Sequence, residues 1–387
     1  MRITEDWIAA PETQAVCAML TDAGYQALFV GGCVRNALLG SPVNDIDIAT
    51  DALPETVVEL ATRAGLTPVP TGVEHGTVTV VSAHVPHEVT TFRKDVETDG
   101  RRAVVAFSDS AEQDAHRRDF TMNALYAAPD GQIIDPLGGL ADLTARRVRF
   151  IDDASQRIRE DYLRILRFFR FHAWYGDPAG GIDPDGLASC ATLSAGIETL
   201  SRERVGAEMK KLLGAPDPAP SVAAMVQAGV LAHVLPGADA RALPVLVHLE
   251  QDSGLAPDAI RRLALLGGQG AETGLRLSRA EAHRLTRLRD QIGAPENAAA
   301  LGYRLGPDEG RDVLFLRAAL FETPLPGGYQ AELARGHAAV YPVKAADLMP
   351  QLRGPDLGAC LKRLEQTWID SDFSLTKAEL LKDKDKI

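Results

Sequence analysis

Residues 28–50 of this 387-residue chain read LFVGGCVRNALLGSPVNDIDIAT, and few folds accommodate them. Leu28, Phe29 and Val30 form an apolar run the length of one buried strand, broken by Gly31-Gly32. Val34 to Leu39 then reads as a helix, ended by Gly40 and Pro42. Asp45-Ile46-Asp47-Ile48 alternates charged and aliphatic side chains, the period of a strand with one buried face. Its two carboxylates therefore leave the same side of the strand, about 6–7 Å apart along it. A glycine turn that opens a helix offers backbone N–H groups to phosphate, and Arg35 adds charge one turn on. Such a turn beside paired carboxylates places a phosphate site next to an oxygen-only site, which suits Mg2+ or Mn2+ better than zinc.

The next segments supply a sheet for this pair. Asp51 and Pro54 mark the start of a helix that stops at Gly65, and residues 11–24 carry apolar positions at helical spacing before it. Thr77 to Ser82 and Glu88 to Phe92 are rich in β-branched residues and read as strands. Glu88 thus brings a third carboxylate to a strand start. Two ions held by such a set can activate a hydroxyl and stabilise a leaving phosphate oxygen together. Residues 93–102 are polar, charged and broken by glycine, and read as a loop. Asp119 or Thr121 could cap a short helix through Leu125, and Gln132 to Ile134 could be a last strand. To about residue 145 the expectation is an α+β domain with a small mixed sheet.

From Ala154 the pattern is helical. Arg157 to Ala173 predicts one helix with Ile158, Tyr162, Ile165 and Phe169 on one face, and Asp161, Arg164 and Arg167 in polar rows. Residues 201–214 predict another, capped by Ser201, and APDPAP at 215–220 reads as a linker before an all-helical remainder. The divisions expected are 1–145, 146–214 and 215–387.

Composition is that of an ordinary globular protein, with 45% hydrophobic and 24% charged residues. A net charge of −12 argues against coating nucleic acid through bulk charge, and leaves room for local basic patches. Cys17, Cys33, Cys190 and Cys360 have neither CxxC nor zinc spacing and read as buried thiols in a reducing compartment. The acidic N-terminal stretch lacks signal-peptide character, and no run approaches the ~20 apolar residues of a membrane span. A cytoplasmic protein without a membrane partner is expected.

Five stretches, GGCVRNALLG with DIDIAT, EVTTFR, RRDFTMNALY, DPLGG and REDYLRILR, occur in this order. Together they resemble the class II tRNA nucleotidyltransferases, the CCA-adding enzymes, and the related bacterial poly(A) polymerases of the polymerase-β-like superfamily. The resemblance is dense from about residue 25 to 215 and thin afterwards. It implies a catalytic head followed by helical neck, body and tail. It further implies CCA addition to the tRNA 3′ end from CTP and ATP. Asp45, Asp47 and Glu88 would hold Mg2+ or Mn2+, so that the RNA 3′-hydroxyl attacks the α-phosphate and expels pyrophosphate. Gly31, Gly32 and Arg35 match the triphosphate turn, and Arg118 matches an arginine near the nucleotide. Glu160, Asp161 and Arg164 match the EDxxR motif whose last two members read the base, with Arg167 one turn on. Asp161 and Arg164 at i and i+3 would share a helix face, and their acceptor and donor could pair with cytosine or adenine. The family usually has aspartate where this chain has Asn36, and often proline where it has Ala103.

SPVN precedes the carboxylate pair where poly(A) polymerases of this family tend to carry lysine, which favours CCA addition. The intact loop motif disfavours addition of only part of CCA, and the three carboxylates disfavour an inactive RNA-binding module. No His-Asp dipeptide suggests an added phosphohydrolase. In the helical half Arg276, Arg284 and Arg287 lie near one stripe that could track RNA phosphates. No protein partner can be inferred.

Overall fold

The computed structural model describes residues 1–94, 106–349 and 351–382. Its aliphatic segments pair into one mixed sheet of seven strands in the order β3-β4-β5-β2-β1-β8-β9. These are β1 (Leu28–Val30), β2 (Ile46–Thr50), β3 (Thr67–Gly72), β4 (Thr77–Ser82), β5 (Val85–Thr91), β8 (Tyr126–Ala127) and β9 (Ile133–Ile134). β6 (Arg93–Lys94) and β7 (Ala106–Phe107) form a separate ribbon. Only the β2–β5 pair is parallel; the others are antiparallel.

Alternation along the strands gives the sheet two unlike faces. Val78, Val80 and Val89 are buried on one, against Val16 and Leu20 of the helix Pro11–Thr21 and Val57, Leu60 and Ala61 of the helix Pro54–Arg63. On the other, Leu28, Val30, Ala49 and Tyr126 pack with Phe92, Ala115 and Ile151. That cover stops short of Asp45 and Glu88, which stay exposed.

Several elements differ from expectation. β3 reads TPVPTG, and its two prolines conceal a strand; they are tolerated because β3 lies at the sheet edge. The helix Ala111–His116, with Ser110 accepting from the Gln113 N–H, falls where none was expected. Thr121–Asn123 is a single 3-10 turn. The long helix expected over 157–173 is two, Ala154–Glu160 and Leu163–Tyr175. The chain is extended at Asp161, with φ −155° and ψ 104°. Most of the expected loop at 93–102, and Ala103 with it, falls outside the described residues.

Beyond Ile134 the described residues contain helices and no further strand. The chain forms two compact units, residues 1–208 with 220–234, and residues 209–219 with 235–387. The stretch 215–220, expected as a linker, thus belongs to the second unit up to Ala219. Among the described residues no helix is long and apolar enough to cross a membrane. All four cysteines are buried and free.

Candidate active site

The parallel register pairs Asp47 of β2 with Glu88 of β5, so the two carboxylates rise from neighbouring strands on one face. Asp45 sits one residue before β2 begins, on the same side as Asp47 by alternation. Burial, then repulsion from Glu88, push the half-buried Asp47 carboxyl up to about 6. Asp45 adds to this rise, while Arg118 and Arg35 oppose it. Like charges are thus gathered here with less cation than they call for. As the side chains stand, no three His, Cys, Asp or Glu residues among those described are close enough together to hold a metal ion. Asp45 and Glu88 are both exposed.

Gly31 follows β1 with φ 70° and ψ −118°, a conformation that requires glycine, and the helix Gly32–Leu38 starts from it. Its own N–H is engaged by the Leu125 carbonyl at 3.3 Å, so any phosphate must use the donors that follow. A Cβ at Gly31 would lie 3.5 Å from Nη1 of Arg118 and 3.7 Å from Oδ1 of Asn123, which places both residues at the turn.

Arg118 is held in place by a carboxylate that sequence reading missed. Its Nε and Nη2 donate to Oδ2 of Asp114 at 3.1 and 2.9 Å, and the Tyr126 hydroxyl donates to the same oxygen at 2.8 Å. Arg117 Nε donates to Oδ1 of Asp114 at 2.7 Å. Burial alone would raise the Asp114 carboxyl, but Arg118 and Arg117, with the Tyr126 hydrogen bond, bring it down to about 2. The signal was available: Asp114 precedes Arg117 and Arg118 by three and four residues, the spacing of a helix face.

Arg35 is buried, and its hydrogen-bond acceptors are neutral. Nη1 donates to Oδ1 of Asn123 at 2.8 Å, Nη2 to the Tyr175 hydroxyl at 2.9 Å, and Nε and Nη2 to Oδ1 of Asn36 at 3.2 and 3.0 Å. The guanidinium lies 4.0 Å from the Tyr175 ring centroid. Burial lowers its pKa. Asn36 uses both ends of its amide, since its Nδ2 donates to the Pro42 carbonyl at 3.0 Å. An aspartate here could accept from Arg35 but could not donate to Pro42. Asn123 and Tyr175 had no signal short of tertiary structure.

The break at Asp161 changes the neck. Asp161 and Arg164 do not share a helix face: Asp161 Oδ2 accepts from Arg204 at 2.6 Å. Arg164 donates to Oε2 of Glu160 at 2.6 Å and to the Arg117 carbonyl at 2.9 Å. Arg167 is held by the buried Asp119 at 2.6 Å. Arg164 is thereby tied to the segment that carries Arg118.

The basic stripe of the second unit is largely neutralised. Arg284 pairs with Asp258 at 2.8 Å and with the buried Asp312 at 2.6 Å, and Arg287 pairs with Glu309. Arg276 precedes the helix Arg279–Ile292 and stands off it, at φ 48°. Helical spacing predicted the stripe; carboxylates distant in sequence, invisible to it, pair with Arg284 and Arg287.

Comparison with known proteins identifies the family. Residues 27–149 match the Poly A polymerase head domain, and residues 181–241 match the family described as probable RNA and SrmB-binding site of polymerase A. A mitochondrial CCA tRNA nucleotidyltransferase 1 of Mus musculus is 30% identical over 390 residues, covering 95% of this chain and 88% of that one. A CCA-adding enzyme of Streptococcus pneumoniae is 41% identical over 229 residues, 59% of this chain and 56% of its own. The crystal structure of a Bacillus stearothermophilus CCA-adding enzyme with CTP covers 95% of this chain and 94% of its own, with TM-score 0.78 and 29% identity. A Thermotoga maritima CCA-adding enzyme complexed with tRNA, 18% identical with TM-score 0.67, shares the fold. The chain belongs to the CCA tRNA nucleotidyltransferase family.

Proposed function

We propose that this protein adds C, C and A to the 3′ end of tRNA from CTP and ATP, without a nucleic-acid template, in the cytoplasm. The observation that carries the reading is the in-register pair Asp47 and Glu88, with Asp45 beside it, on an open sheet face next to the Gly31 turn. The donor set is all oxygen, and the raised Asp47 carboxyl marks a face short of positive charge, which fits a divalent cation. Asp45, Asp47 and Glu88 would hold Mg2+ or Mn2+, which supplies Lewis-acid activation of the RNA 3′-hydroxyl and stabilises the leaving pyrophosphate. The N–H groups after Gly31, together with Arg118, would orient the triphosphate. Arg35, buried against neutral partners, would add an unmatched positive charge behind the turn. Asp161 and Arg164 would choose the base; the bond from Arg164 to the Arg117 carbonyl supports a link between that choice and the triphosphate side.

The matched head-domain family is described by poly(A) polymerase, and this favours one second reading, repeated AMP addition. Incorporation of single labelled nucleotides separates the two. With Mg2+, tRNA primers ending before CCA, after C and after CC should accept CMP, CMP and one AMP. A long A tract on unrelated RNA would overturn the first reading in favour of the second. A chelator should abolish either activity.

A further inference from the structure

The three carboxylates account for the chemistry at the RNA terminus but leave the RNA strand itself without a partner in the head. In-line phosphoryl transfer sets the attacking and leaving oxygens on opposite sides of the phosphorus. The Gly31 turn flanks the carboxylates on the β1 side, so the primer must approach from the β5 and β4 side.

There the open face carries hydroxyls and a cation. Thr90 is two residues beyond Glu88 on β5, about 6–7 Å along the strand, and pairs in register with Thr77 of β4. Their hydroxyls are 2.9 Å apart, and Nη2 of Arg93 donates to the Thr77 hydroxyl at 3.2 Å. The Arg93 backbone N–H donates to Oδ1 of Asp114 at 3.2 Å. Two guanidiniums, those of Arg117 and Arg118, and the Arg93 backbone N–H therefore meet at one carboxylate, while the Arg93 guanidinium turns to Thr77. Asp114 forms ion pairs with Arg117 and Arg118, whereas Arg93 has none among the described residues. Nε of Arg93 is buried with no acceptor among the described residues. Burial, then the neighbouring Arg117, lower Arg93 to about 10, which leaves it charged at neutral pH. A buried donor on an unpaired cation is costly unless an anion arrives to accept from it.

We propose that Arg93, with the hydroxyls of Thr77 and Thr90, binds the phosphodiester on the 5′ side of the primer's terminal nucleoside. The span from Glu88 to Thr90 is of the order of one nucleotide step along a single strand. The bonds to Thr77 and Asp114 hold Arg93 at that spacing, so it registers the 3′-hydroxyl over the carboxylates. This assignment rests on the reading of Asp45, Asp47 and Glu88 given above.

The test is a chemical double-mutant cycle on the full chain. RNA minihelices ending in CC carry either a native last linkage or a neutral methylphosphonate there, and binding is measured by fluorescence anisotropy at several salt concentrations without nucleotide. Arg93→Ala should weaken the native RNA about tenfold, the size expected of one charge-assisted hydrogen bond, and leave the neutral-linkage RNA nearly unaffected. The slope of log affinity against log salt should fall by about 0.7, one phosphate contact on a single strand. The KM for ATP should stay within twofold. Arg93→Gln keeps most of the side-chain volume and reads the same loss should alanine unsettle the fold. Equal losses on both RNAs, or a change confined to the KM for ATP, would overturn the assignment; the latter would move Arg93 to the triphosphate. Failure of the wild-type chain to extend any RNA would sink the function proposed above while leaving this cycle readable.

Discussion

Asp47 and Asp114 lie on the same side of the sheet and have opposite electrostatics. Asp47 has its carboxyl raised from 3.8 to about 6 by burial and by Glu88, so it costs the metal-free fold stability when ionised. A raised carboxyl contributes stability below 3.8 that is lost as the pH climbs through about 6. In chelator at pH 7.5, Asp47→Asn should therefore stabilise the protein, by about 1–2 kcal/mol once screening of a half-buried group is allowed for. The gain should shrink towards pH 4 in thermal melts, and a variant that melts lower than wild type at pH 7.5 would contradict the charge balance. Asp114 has the opposite sign. Its carboxyl, brought to about 2 by Arg118 and Arg117 against the effect of burial, contributes stability above 3.8 that is lost as the pH falls through about 2. Asp114→Asn leaves two guanidiniums without their carboxylate and should cost about 3–5 kcal/mol in urea at neutral pH. The deficit should narrow below pH 4; one that is independent of pH would mean lost packing instead of lost charge.

Among the elements, the break between the helices Ala154–Glu160 and Leu163–Tyr175 bears most on the base choice proposed for Asp161 and Arg164. It takes Asp161 out of the helix that carries Arg164 and leaves its carboxylate paired with Arg204. Tyr162 occupies the break, and Gly196 makes room for it: a Cβ at Gly196 would meet the Tyr162 ring at 2.0 Å. Gly196→Ala should therefore displace Tyr162 and cost about 1–3 kcal/mol, the usual penalty of overpacking. With Asp161 as a base-reading residue, it should also raise misincorporation of UMP and GMP relative to CMP and AMP. Unchanged fidelity together with the expected loss of stability would separate the break from base choice. The apolar pattern carried no trace of this interruption, because Ile158, Tyr162, Ile165 and Phe169 satisfy a continuous helical period. By contrast, Ser201 was readable as a cap, and it accepts from the Arg204 N–H at 3.4 Å.

For the molecule as a whole, the second unit is organised around buried charge. Glu250, 1% exposed, accepts from Arg261 at 2.7 Å and from Arg262 at 2.9 and 2.7 Å. Arg262 also donates to the Leu213 carbonyl at 2.6 Å, and Asp312 joins Arg261 to Arg284. Glu250→Ala leaves the buried Arg262 without a carboxylate and Arg261 with Asp312 alone, and should destabilise this unit by about 3–5 kcal/mol. Trp368 lies in the second unit and Trp7 and Trp174 in the first, so single-tryptophan versions can follow the two by fluorescence in denaturant. The midpoint reported by Trp368 should fall most; equal shifts at all three would show that the two units unfold as one.

The chain's local pattern alone determined the glycine turn, the strand period of Asp45 to Ile48, the β-branched strands and the helical character beyond residue 154. These follow from backbone stereochemistry and the two periods of 2 and 3.6, which act over a few residues. The pairing of Asp47 with Glu88 was foreshadowed by their residue types and decided by the parallel β2–β5 register. Only tertiary structure could bring the Arg93 backbone N–H and the Tyr126 hydroxyl to Asp114, Asn123 and Tyr175 around Arg35, and Asp312 and Glu309 onto the basic stripe. A charged side chain is recognised from its neighbours in sequence. Its availability to a ligand depends on which opposite charge the fold brings beside it, because Coulombic energy at close range in a poorly solvated site outweighs any local preference.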